Sequence, residues 1–536
     1  MTDGAERNEA LDVVIVGAGF GGLYALWRLR GQGLAVRVLE AAPSVGGTWW
    51  ANCYPGARVD IQSLEYSYGF DEQLQQDWHW TERYAGQPEL LRYANHVADR
   101  FDLRGDIELD TRVAAAHFDD GVRRWQIAAE DGRRWTARFL VLAIGPLSSP
   151  NRPAIAGLDR FAGRVLHTAA WPREPVDLSG DVGVVGTGSS GVQIIPIIAA
   201  QARSLTVFQR TPAYAVPSHN GPLDPAWEAR IKADYAGFRA RNRRMYSGFG
   251  CELTVRRVSA LDASPAEREA AFEERWRSGG LGFLSAFPDL LTSARANDLA
   301  AEFVRGKIRS IVRDPDIAAR LCPSYPIGCK RLCVDVGYYE TYNRPNVALV
   351  DVAAHPIEAV SPRGVVCGGR EVALDTLVLA TGFDAYTAPM MRIDLRGRDG
   401  LRIADKWRAG PANYLGLTVA GFPNLFNIAG PGSPSAFTNF FVGVEHHTDW
   451  IADCIAWLDA HGRTTIEASE AAEARWLAQV AAVAEKTVYL HCNSWYLGAN
   501  IAGKPRIFMP LVGGFPAYAE RCAAVATRGY DGFVVA

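Results

Sequence analysis

The chain of 536 residues is 48% hydrophobic and 21% charged, which is typical of a globular protein and excludes a disordered, collagen-like or coiled-coil chain. Its length corresponds to about three or four domains of ordinary size. The net charge is −3, from 56 basic and 59 acidic residues. The chain therefore has no strong positive electrostatic potential that would favour nucleic acid or a membrane surface as a partner.

Features that report on location favour a cytoplasmic protein. The first ten residues, MTDGAERNEA, lack the basic segment and apolar core of a signal peptide. Nine cysteines in so long a chain, an odd number, do not form the dense disulfide framework of small secreted proteins, which fits a reducing compartment. Residues 182–202 and 414–444 are uncharged and long enough to span a membrane, but glycines and prolines interrupt both. We therefore predict buried strand–turn–helix or loop segments there, and no membrane partner.

The first predicted unit is a strand, a glycine-rich turn, a helix and a second strand within residues 11–40. Gly17, Gly19 and Gly22 have the spacing of a dinucleotide-binding turn, in which glycines permit the turn, the approach of a pyrophosphate and close helix packing. Glu40 follows Gly17 by 23 residues, where a carboxylate can accept from a ribose 2′-OH. The unit predicts a site for a dinucleotide with a free ribose.

A second unit of the same kind begins with an apolar strand at residues 181–185. Its turn runs from Gly186 to Gly191, and the helix after it contains Pro196. The next strand ends not in an acid but in Arg210, which lies 24 residues after Gly186. An arginine there suits a 2′-phosphate, although a solvated strand-end charge is the alternative. This unit predicts an NADP site.

Two dinucleotide units in one chain predict a flavoprotein that accepts hydride from a nicotinamide cofactor. We predict an α/β fold with two Rossmann-like dinucleotide-binding domains, for FAD and NADP, and a helical insertion. Apolar runs at 139–145 and 375–384 look like closing strands, which makes the FAD domain discontinuous. The predicted division is 1–145 (FAD domain), 146–219 (NADP domain), 220–327 (helical insertion), 328–379 (NADP domain) and 380–536 (FAD domain).

The linker before the second glycine turn carries the residues that indicate a family. Phe161, Gly163, His167 and Trp171, followed by Pro172, match the fingerprint F-x-G-x-x-x-H-x-x-x-W-P/D at every fixed position. On these residues the chain resembles the type I Baeyer–Villiger monooxygenases, such as cyclohexanone and phenylacetone monooxygenases. Related N- and S-oxygenating enzymes have Phe or Tyr at the last position. Further matches, which extend the resemblance over nearly the whole chain, lie at residues 46–50, 54–60, 328–331, 430–435 and 493–505.

The resemblance implies a reaction and its cofactors. NADPH would reduce bound FAD, and reduced flavin would react with O2 to a C4a-peroxyflavin. Attack of this peroxide on a ketone would insert one oxygen atom next to the carbonyl and give an ester or lactone. The alternatives are a flavin monooxygenase that oxidises N or S centres, and a non-catalytic flavoprotein that binds NADP and a partner. We expect a monomer or a weak homo-oligomer.

The resemblance also implies roles for individual residues. Arg331 matches the catalytic arginine; a guanidinium keeps its proton and therefore acts as an electrostatic stabiliser. Asp60 matches the acid that pairs with it. Trp495 matches a tryptophan that covers the nicotinamide, with a core position as the alternative. His167 has an unperturbed pKa near neutrality, yet its place in a linker predicts a structural or hinge role.

The remaining expected contacts fall into two sets. For FAD they are Gly17, Gly19, Phe20, Gly22, Glu40, Gly47, Thr48, Trp49, Asp60, Tyr66 and Val113. For NADP they are Arg58, Thr187, Gly188, Ser189, Ser190, Gly191, Gln193, Arg210, Thr211, Lys330, Arg331 and Trp495.

No metal site is predicted. Cys329 and Cys333 flank Lys330 and Arg331, but no His/Cys ligand set accompanies them. A disulfide reductase would carry a cysteine pair near the first helix, where Cys53 stands alone.

Overall fold

The computed structural model describes residues 10–536. Residues 1–9, which make up most of the segment that lacks the features of a signal peptide, lie outside the described residues. The largest sheet has eight strands, with Ala10–Val16 in its interior, parallel to Val36–Leu39 on one side and Arg134–Leu142 on the other. Val13, Val14 and Ile15 are fully buried, as expected for a strand covered on both faces. The other strands are Ile107–Glu108, Val113–Asp119, Arg124–Ala129, Asp394–Arg396 and Leu425–Asn427.

The second sheet has five parallel strands. In spatial order they are Val347–Asp351, Ser204–Gln209, Asp181–Val185, Thr376–Leu379 and Arg164–His167. The helix Ser189–Gln201 follows the second glycine turn and continues through Pro196. The predicted α/β fold with two Rossmann-like sheets is confirmed.

The chain returns to the first sheet after it completes the second. Strands Asp394–Arg396 and Leu425–Asn427 pair with Val113–Asp119 and Arg134–Leu142. The long helix Phe440–Ala460 packs on the first helix, Phe20–Arg30, where the Tyr24 hydroxyl donates to Asp449 at 2.8 Å. These connections agree with a discontinuous first domain, and the exact division into five segments stays a prediction.

A helical region lies between two short paired strands, Ala215–Pro217 and Cys333–Asp335. Its helices begin at Asp or Ser residues whose side chains accept from backbone N–H groups of the first turn. Ser264 and Glu267 form a complete capping box. The helices are Pro225–Lys232, Tyr235–Arg243, Pro265–Ser278, Ala294–Ile311 and Pro315–Leu321.

The remaining elements lie around these layers. The helices are Thr48–Ala51, Glu72–Asp77, Gln87–Arg100, Tyr338–Thr341, Thr387–Met391, Ile403–Lys406, Glu470–Ala484 and Phe515–Thr527. Two small antiparallel sheets contain Ile357–Ser361, Gly364–Cys367 and Arg370–Ala373, and Ile466–Ala468 with Phe533–Val535. Within residues 10–536, no helix combines the length and the apolar character needed to cross a membrane.

Candidate active site

A cleft of about 1730 Å³ is lined by residues of both glycine turns and by both members of the predicted catalytic pair. It brings together residues that lie hundreds of positions apart, from Gly17 at one end of the chain to Asn500 near the other. A volume of this size exceeds that of an ordinary single-ligand pocket, so the cleft can take more than one molecule.

The first glycine turn is built as the sequence predicts. Gly17 has a φ of +103°, and a Cβ there would lie 2.7 Å from the Ala143 carbonyl oxygen. A Cβ on Gly22 would lie 1.8 Å from the Gly17 oxygen, so only glycine allows the helix to pack this closely. Gly19 and Phe20 line the cleft, whereas Gly22 acts through packing.

Glu40 lies at the end of the second strand, beside this turn. Its buried carboxylate accepts from the Ala18 N–H at 2.6 Å and the Ala42 N–H at 2.8 Å. Burial raises the pKa of Glu40, and these hydrogen bonds oppose that shift. Because Glu40 also lines the cleft, a ribose hydroxyl can reach it.

The other residues predicted for FAD line the same cleft. They are Gly47, Thr48, Trp49, Asp60, Tyr66 and Val113. Three residues that also line it, Thr438, Ser494 and Asn500, each carry a buried side-chain oxygen that has no hydrogen-bond partner within residues 10–536. Buried polar groups are normally satisfied, so these atoms fit a polar ligand. Sequence reasoning did not select them, although residues 494 and 500 fall within a stretch that matches the family.

The second glycine turn repeats the construction of the first. Gly186 has a φ of +107°, and a Cβ on Gly191 would lie 2.3 Å from the Gly186 oxygen. A Cβ on Gly188 would meet nothing within 4 Å, so this residue borders open space. Thr187, Gly188, Ser189 and Ser190 line the cleft, and the last two begin the helix, whose N-terminus favours an anion.

Two cations lie near this turn. Lys330 stands over the Tyr325 ring, 4.8 Å from its centroid, and both Lys330 and Arg210 line the cleft with Thr211. Burial, with the nearby Arg210 charge, lowers the pKa of Lys330 to about 8. Two cations on one wall of the cleft fit an anionic group such as a 2′-phosphate.

Arg58 and Gln193, also predicted to contact NADP, line the cleft but have protein partners. Arg58 Nη1 donates to Glu82 and to the Tyr84 carbonyl, both at 2.5 Å. Gln193 donates to the Arg58 carbonyl at 2.9 Å and accepts from the Tyr54 hydroxyl at 2.7 Å. They hold the wall of the cleft, and their contact with NADP stays a prediction.

Arg331 and Asp60 are joined although 271 residues separate them. Nε and Nη2 of Arg331 donate to the two carboxylate oxygens, each at 2.9 Å, and Nη1 donates to the Ala436 carbonyl at 2.6 Å. Burial opposes the charge on Arg331, but Asp60, together with Tyr496 and Tyr489, holds its pKa above the ordinary value. Each side chain is about a quarter exposed, so a fixed cation faces the cleft.

Trp495 is placed at the cleft rather than in the core. Its ring stacks on Tyr386, with centroids 5.9 Å apart. The segment around it is held to residues 383–386, since Asn500 donates to the Phe383 carbonyl and Lys504 pairs with Asp384.

The fingerprint residues Phe161, Gly163, His167 and Trp171 lie outside the cleft lining. His167 Nδ1 accepts from the Ala169 N–H, and Nε2 lies 3.2 Å from both the Asn151 carbonyl and Thr381 Oγ1. Burial lowers the pKa of His167. The histidine therefore joins the linker to a turn of the second sheet, which supports the predicted structural role and not that of a base.

Two contacts had no signal in the sequence. The Arg173 guanidinium lies over the Trp50 ring at 3.4 Å, which ties the chain just after the fingerprint to the helix Thr48–Ala51 at the cleft. Cys329 and Cys492 form a disulfide, and the other seven cysteines are free thiols. Cysteine spacing predicted neither partner. Among the described residues, no three His, Cys, Asp or Glu side chains are grouped to hold a metal ion.

Two glycine turns that open into one cleft beside a fixed Arg–Asp pair define a flavoprotein oxidoreductase with a second dinucleotide site. A family model described as pyridine nucleotide-disulphide oxidoreductase matches residues 11–243. The chain is 43% identical to a Baeyer-Villiger monooxygenase of Pseudooceanicola batsensis, over 98% of this chain and 96% of that protein. It is 39% identical to the phenazine N-monooxygenase PhzNO1 of Lysobacter antibioticus, over 98% and 97%.

A solved structure of an oxidized steroid monooxygenase bound to NADP is 50% identical, covers 98% of this chain and 99% of its own, and superimposes with a TM-score of 0.94. The chain belongs to the Baeyer–Villiger monooxygenase family. It is a monooxygenase that uses FAD and NADPH.

Proposed function

We propose that this monooxygenase inserts one atom of O2 next to a ketone carbonyl, to give an ester or lactone, with Arg331 and Asp60 as its catalytic residues. The observation that carries the proposal is the Arg331–Asp60 pair in the cleft lined by both glycine turns. Family membership supports the same reaction class.

Bound FAD supplies the oxygen chemistry and NADPH supplies the hydride, so the protein has to bind, orient and provide charge. Arg331 provides a cation that keeps its proton and stabilises negative charge on oxygen as the carbonyl reacts. Asp60 and the Ala436 carbonyl fix the plane of the guanidinium, so no reorganisation is needed when that charge develops.

The cofactor contacts follow from the chemistry of the cleft. Glu40 receives the ribose of FAD, and the first glycine turn receives its pyrophosphate. Lys330, Arg210 and Thr211 receive the 2′-phosphate of NADPH, while Ser189 and Ser190 face its pyrophosphate. Trp495 covers the nicotinamide side of the cleft, and His167 holds the linker between the two sheets.

We further propose a cytoplasmic monomer or weak homo-oligomer, with domain boundaries at residues 145, 219, 327 and 379. Seven free thiols among nine cysteines support a reducing compartment. The paired strands Ala215–Pro217 and Cys333–Asp335 support the limits of the helical insertion, because one strand precedes the insertion and the other follows it.

Oxidation of an aromatic nitrogen is a second candidate function. The similarity to a phenazine N-monooxygenase favours it, although Trp171 in the fingerprint supports the ketone reaction.

Product analysis with the purified full-length protein tests the proposal. NADPH consumption and products are measured with small cyclic, bulky polycyclic and aryl ketones, a thioether and a phenazine. We expect a lactone or ester from at least one ketone, and an Arg331→Ala variant that still oxidises NADPH but forms at least ~100-fold less product. Arg370→Ala, at an exposed strand residue outside the cleft, is the control.

Each other outcome has a distinct meaning. An N-oxide without any ester supports the second function. Normal ester yield from Arg331→Ala removes the proposed role of that residue. No ester or lactone from any ketone of the panel would contradict the proposed reaction.

A further inference from the structure

The disulfide between Cys329 and Cys492 joins two walls of the cleft. The bond spans 163 residues of sequence, with Cα atoms 6.2 Å apart. Cys329 directly precedes Lys330 and Arg331, which line the cleft. Cys492 directly precedes residues 493–502, which we call the cover segment; its two ends, 493–495 and 500–502, line the cleft. The bond thus ties the position of the catalytic cation to the segment that carries Trp495.

We propose that Cys329 and Cys492 form a reversible thiol–disulfide site that fastens the cover segment to the Lys330–Arg331 segment and thereby slows cofactor exchange. The inference rests on the proposed function, because it assigns NADPH to the side of the cleft beneath Trp495. Among the described residues the disulfide is the one covalent cross-link between the two segments, and it adds to the noncovalent contact of Tyr496 with Arg331.

The noncovalent contacts of the cover segment run in two directions. Tyr496 packs against Phe437 and hydrogen-bonds the Arg331 side chain, whereas other contacts reach residues 383–386. Trp495 stacks on Tyr386, and Asn500 donates to the Phe383 carbonyl at 2.8 Å. Just beyond the segment, Lys504 pairs with Asp384. The segment contains one short 3₁₀ turn, Trp495–Leu497, and no strand. Its backbone bonds are short turns, and the burial of Tyr496 and Leu497 holds it mainly by packing. A covalent tie at one end restricts the opening of a segment held in this way.

The state of the other cysteines and the different burial of Cys329 and Cys492 indicate that the bond is reversible. Seven cysteines are free, including the buried Cys333, Cys367, Cys454 and Cys522, which is the pattern of a protein kept in a reducing compartment. A disulfide in such a compartment is usually transient or regulatory. Cys492 is half-buried, whereas Cys329 is fully buried, so exchange with a small thiol or disulfide begins at Cys492.

The oxidant belongs to the class of low-molecular-weight disulfides, RSSR. The Cys492 thiolate attacks one sulfur, which forms a mixed disulfide and releases RS⁻. The Cys329 thiolate then attacks Cys492 Sγ, forms the Cys329–Cys492 bond and releases the second RS⁻. The two cysteines lose two electrons and two protons, and RSSR becomes two RSH. Excess thiol reverses both steps.

The test compares the full-length holoenzyme in glutathione buffers poised from reducing to oxidising. Alkylation and mass measurement count thiols, of which two should disappear on oxidation. Stopped-flow fluorescence follows the release of NADP⁺, and steady-state assays give kcat. We expect oxidation to slow NADP⁺ release by about three- to tenfold and to lower kcat when release limits turnover. Cys492→Ser should keep the fast rate in every buffer, and Cys251→Ser, at a half-buried free cysteine, should respond like the wild type.

Two results would overturn the proposal: nine free thiols in the fully oxidising buffer, or equal NADP⁺ release rates once mass measurement shows the bond. If Cys492→Ser does not fold, reduced wild-type protein supplies the same comparison. Release of NADP⁺ is measured without substrate, so a failure to make ester affects only the proposed function.

Discussion

The carboxylate of Asp60 accepts two parallel hydrogen bonds from the guanidinium of Arg331, each 2.9 Å long. Ala436 accepts a third from Nη1, so three of the five guanidinium N–H groups are fixed by the protein. This geometry separates two properties that substitution can test. Arg331 supplies the charge, whereas Asp60 and the Ala436 carbonyl hold the guanidinium in its orientation.

Replacement of Asp60 should therefore lower the amount of product formed per NADPH consumed more than it lowers the rate at which NADPH is consumed. We expect Asp60→Ala to lower ester formed per NADPH consumed by about ten- to hundredfold, because a misplaced group costs this much when the charge itself is kept. Asp60→Asn keeps an acceptor and should lose less. Product yield and NADPH consumption are measured together, with the exposed Glu485→Gln as the control. An unchanged ratio in Asp60→Ala would show that Asp60 does not orient Arg331.

Lys330 and Arg210 should distinguish NADPH from NADH. Loss of one charged contact to phosphate costs about 1.5–3 kcal/mol, so Lys330→Met should raise the KM for NADPH by roughly 10- to 100-fold and leave the KM for NADH nearly constant. Arg210→Met should act in the same direction. The control is Lys486→Met, at an exposed position outside the cleft. A parallel change for both cofactors would contradict contact with the 2′-phosphate.

The pKa of Lys330 predicts that the KM for NADPH depends on pH. Its pKa is about 8 in the protein, below the ordinary value, because burial and Arg210 disfavour the charge. The ammonium is therefore present below pH 8 and lost above it, so the KM for NADPH should rise as the pH increases through 8. The KM for NADH, and both KM values of Lys330→Met, should stay nearly flat over this range. A flat profile for NADPH in the wild type would argue against Lys330 as the contact.

Features that depend on contiguous residues could be predicted from the sequence. Gly17, Gly22, Gly186 and Gly191 belong to strand–turn–helix signals a few residues long, and the structure gives them the packing that the signal requires. The pairing of Arg331 with Asp60 came from family resemblance, because no spacing rule joins residues 271 positions apart.

Contacts made by tertiary packing alone were missed. The Cys329–Cys492 bond and the stacking of Arg173 on Trp50 join segments more than a hundred residues apart. Connectivity of cysteines cannot be deduced from one sequence, and a cation near an aromatic ring leaves no local pattern.

The second glycine turn offers a matched pair of substitutions. A Cβ at Gly191 would lie 2.3 Å from a backbone oxygen, whereas a Cβ at Gly188 would project into open space beside the cleft. Gly191→Ala should destabilise the protein by several kcal/mol or prevent folding, because backbone cannot move aside cheaply. Gly188→Ala should keep the thermal stability of the wild type but weaken NADPH binding, since the methyl group occupies the approach of the pyrophosphate. Equal stability of the two variants in thermal unfolding would contradict this interpretation.

Glu65 connects the helical insertion to the cleft and should make stability depend on pH. Its side chain accepts from the Gly250 N–H at 2.7 Å, its carbonyl accepts from Arg239 at 3.0 Å, and the next residue, Tyr66, lines the cleft. Burial raises the pKa of Glu65 to about 7, although Gly250 and the Arg239 charge oppose the shift.

A carboxyl group whose pKa is raised by folding stabilises the folded state when it is protonated. Its contribution is complete below the unfolded pKa and is lost as the pH rises toward about 7. Glutamine does not titrate, so Glu65→Gln should gain stability relative to the wild type between pH 5 and pH 8, by on the order of 2 kcal/mol. Urea unfolding at the two pH values measures the difference, with the exposed Glu485→Gln as the control variant. A constant difference between the Glu65→Gln variant and the wild type at both pH values would mean that Glu65 does not titrate in this range.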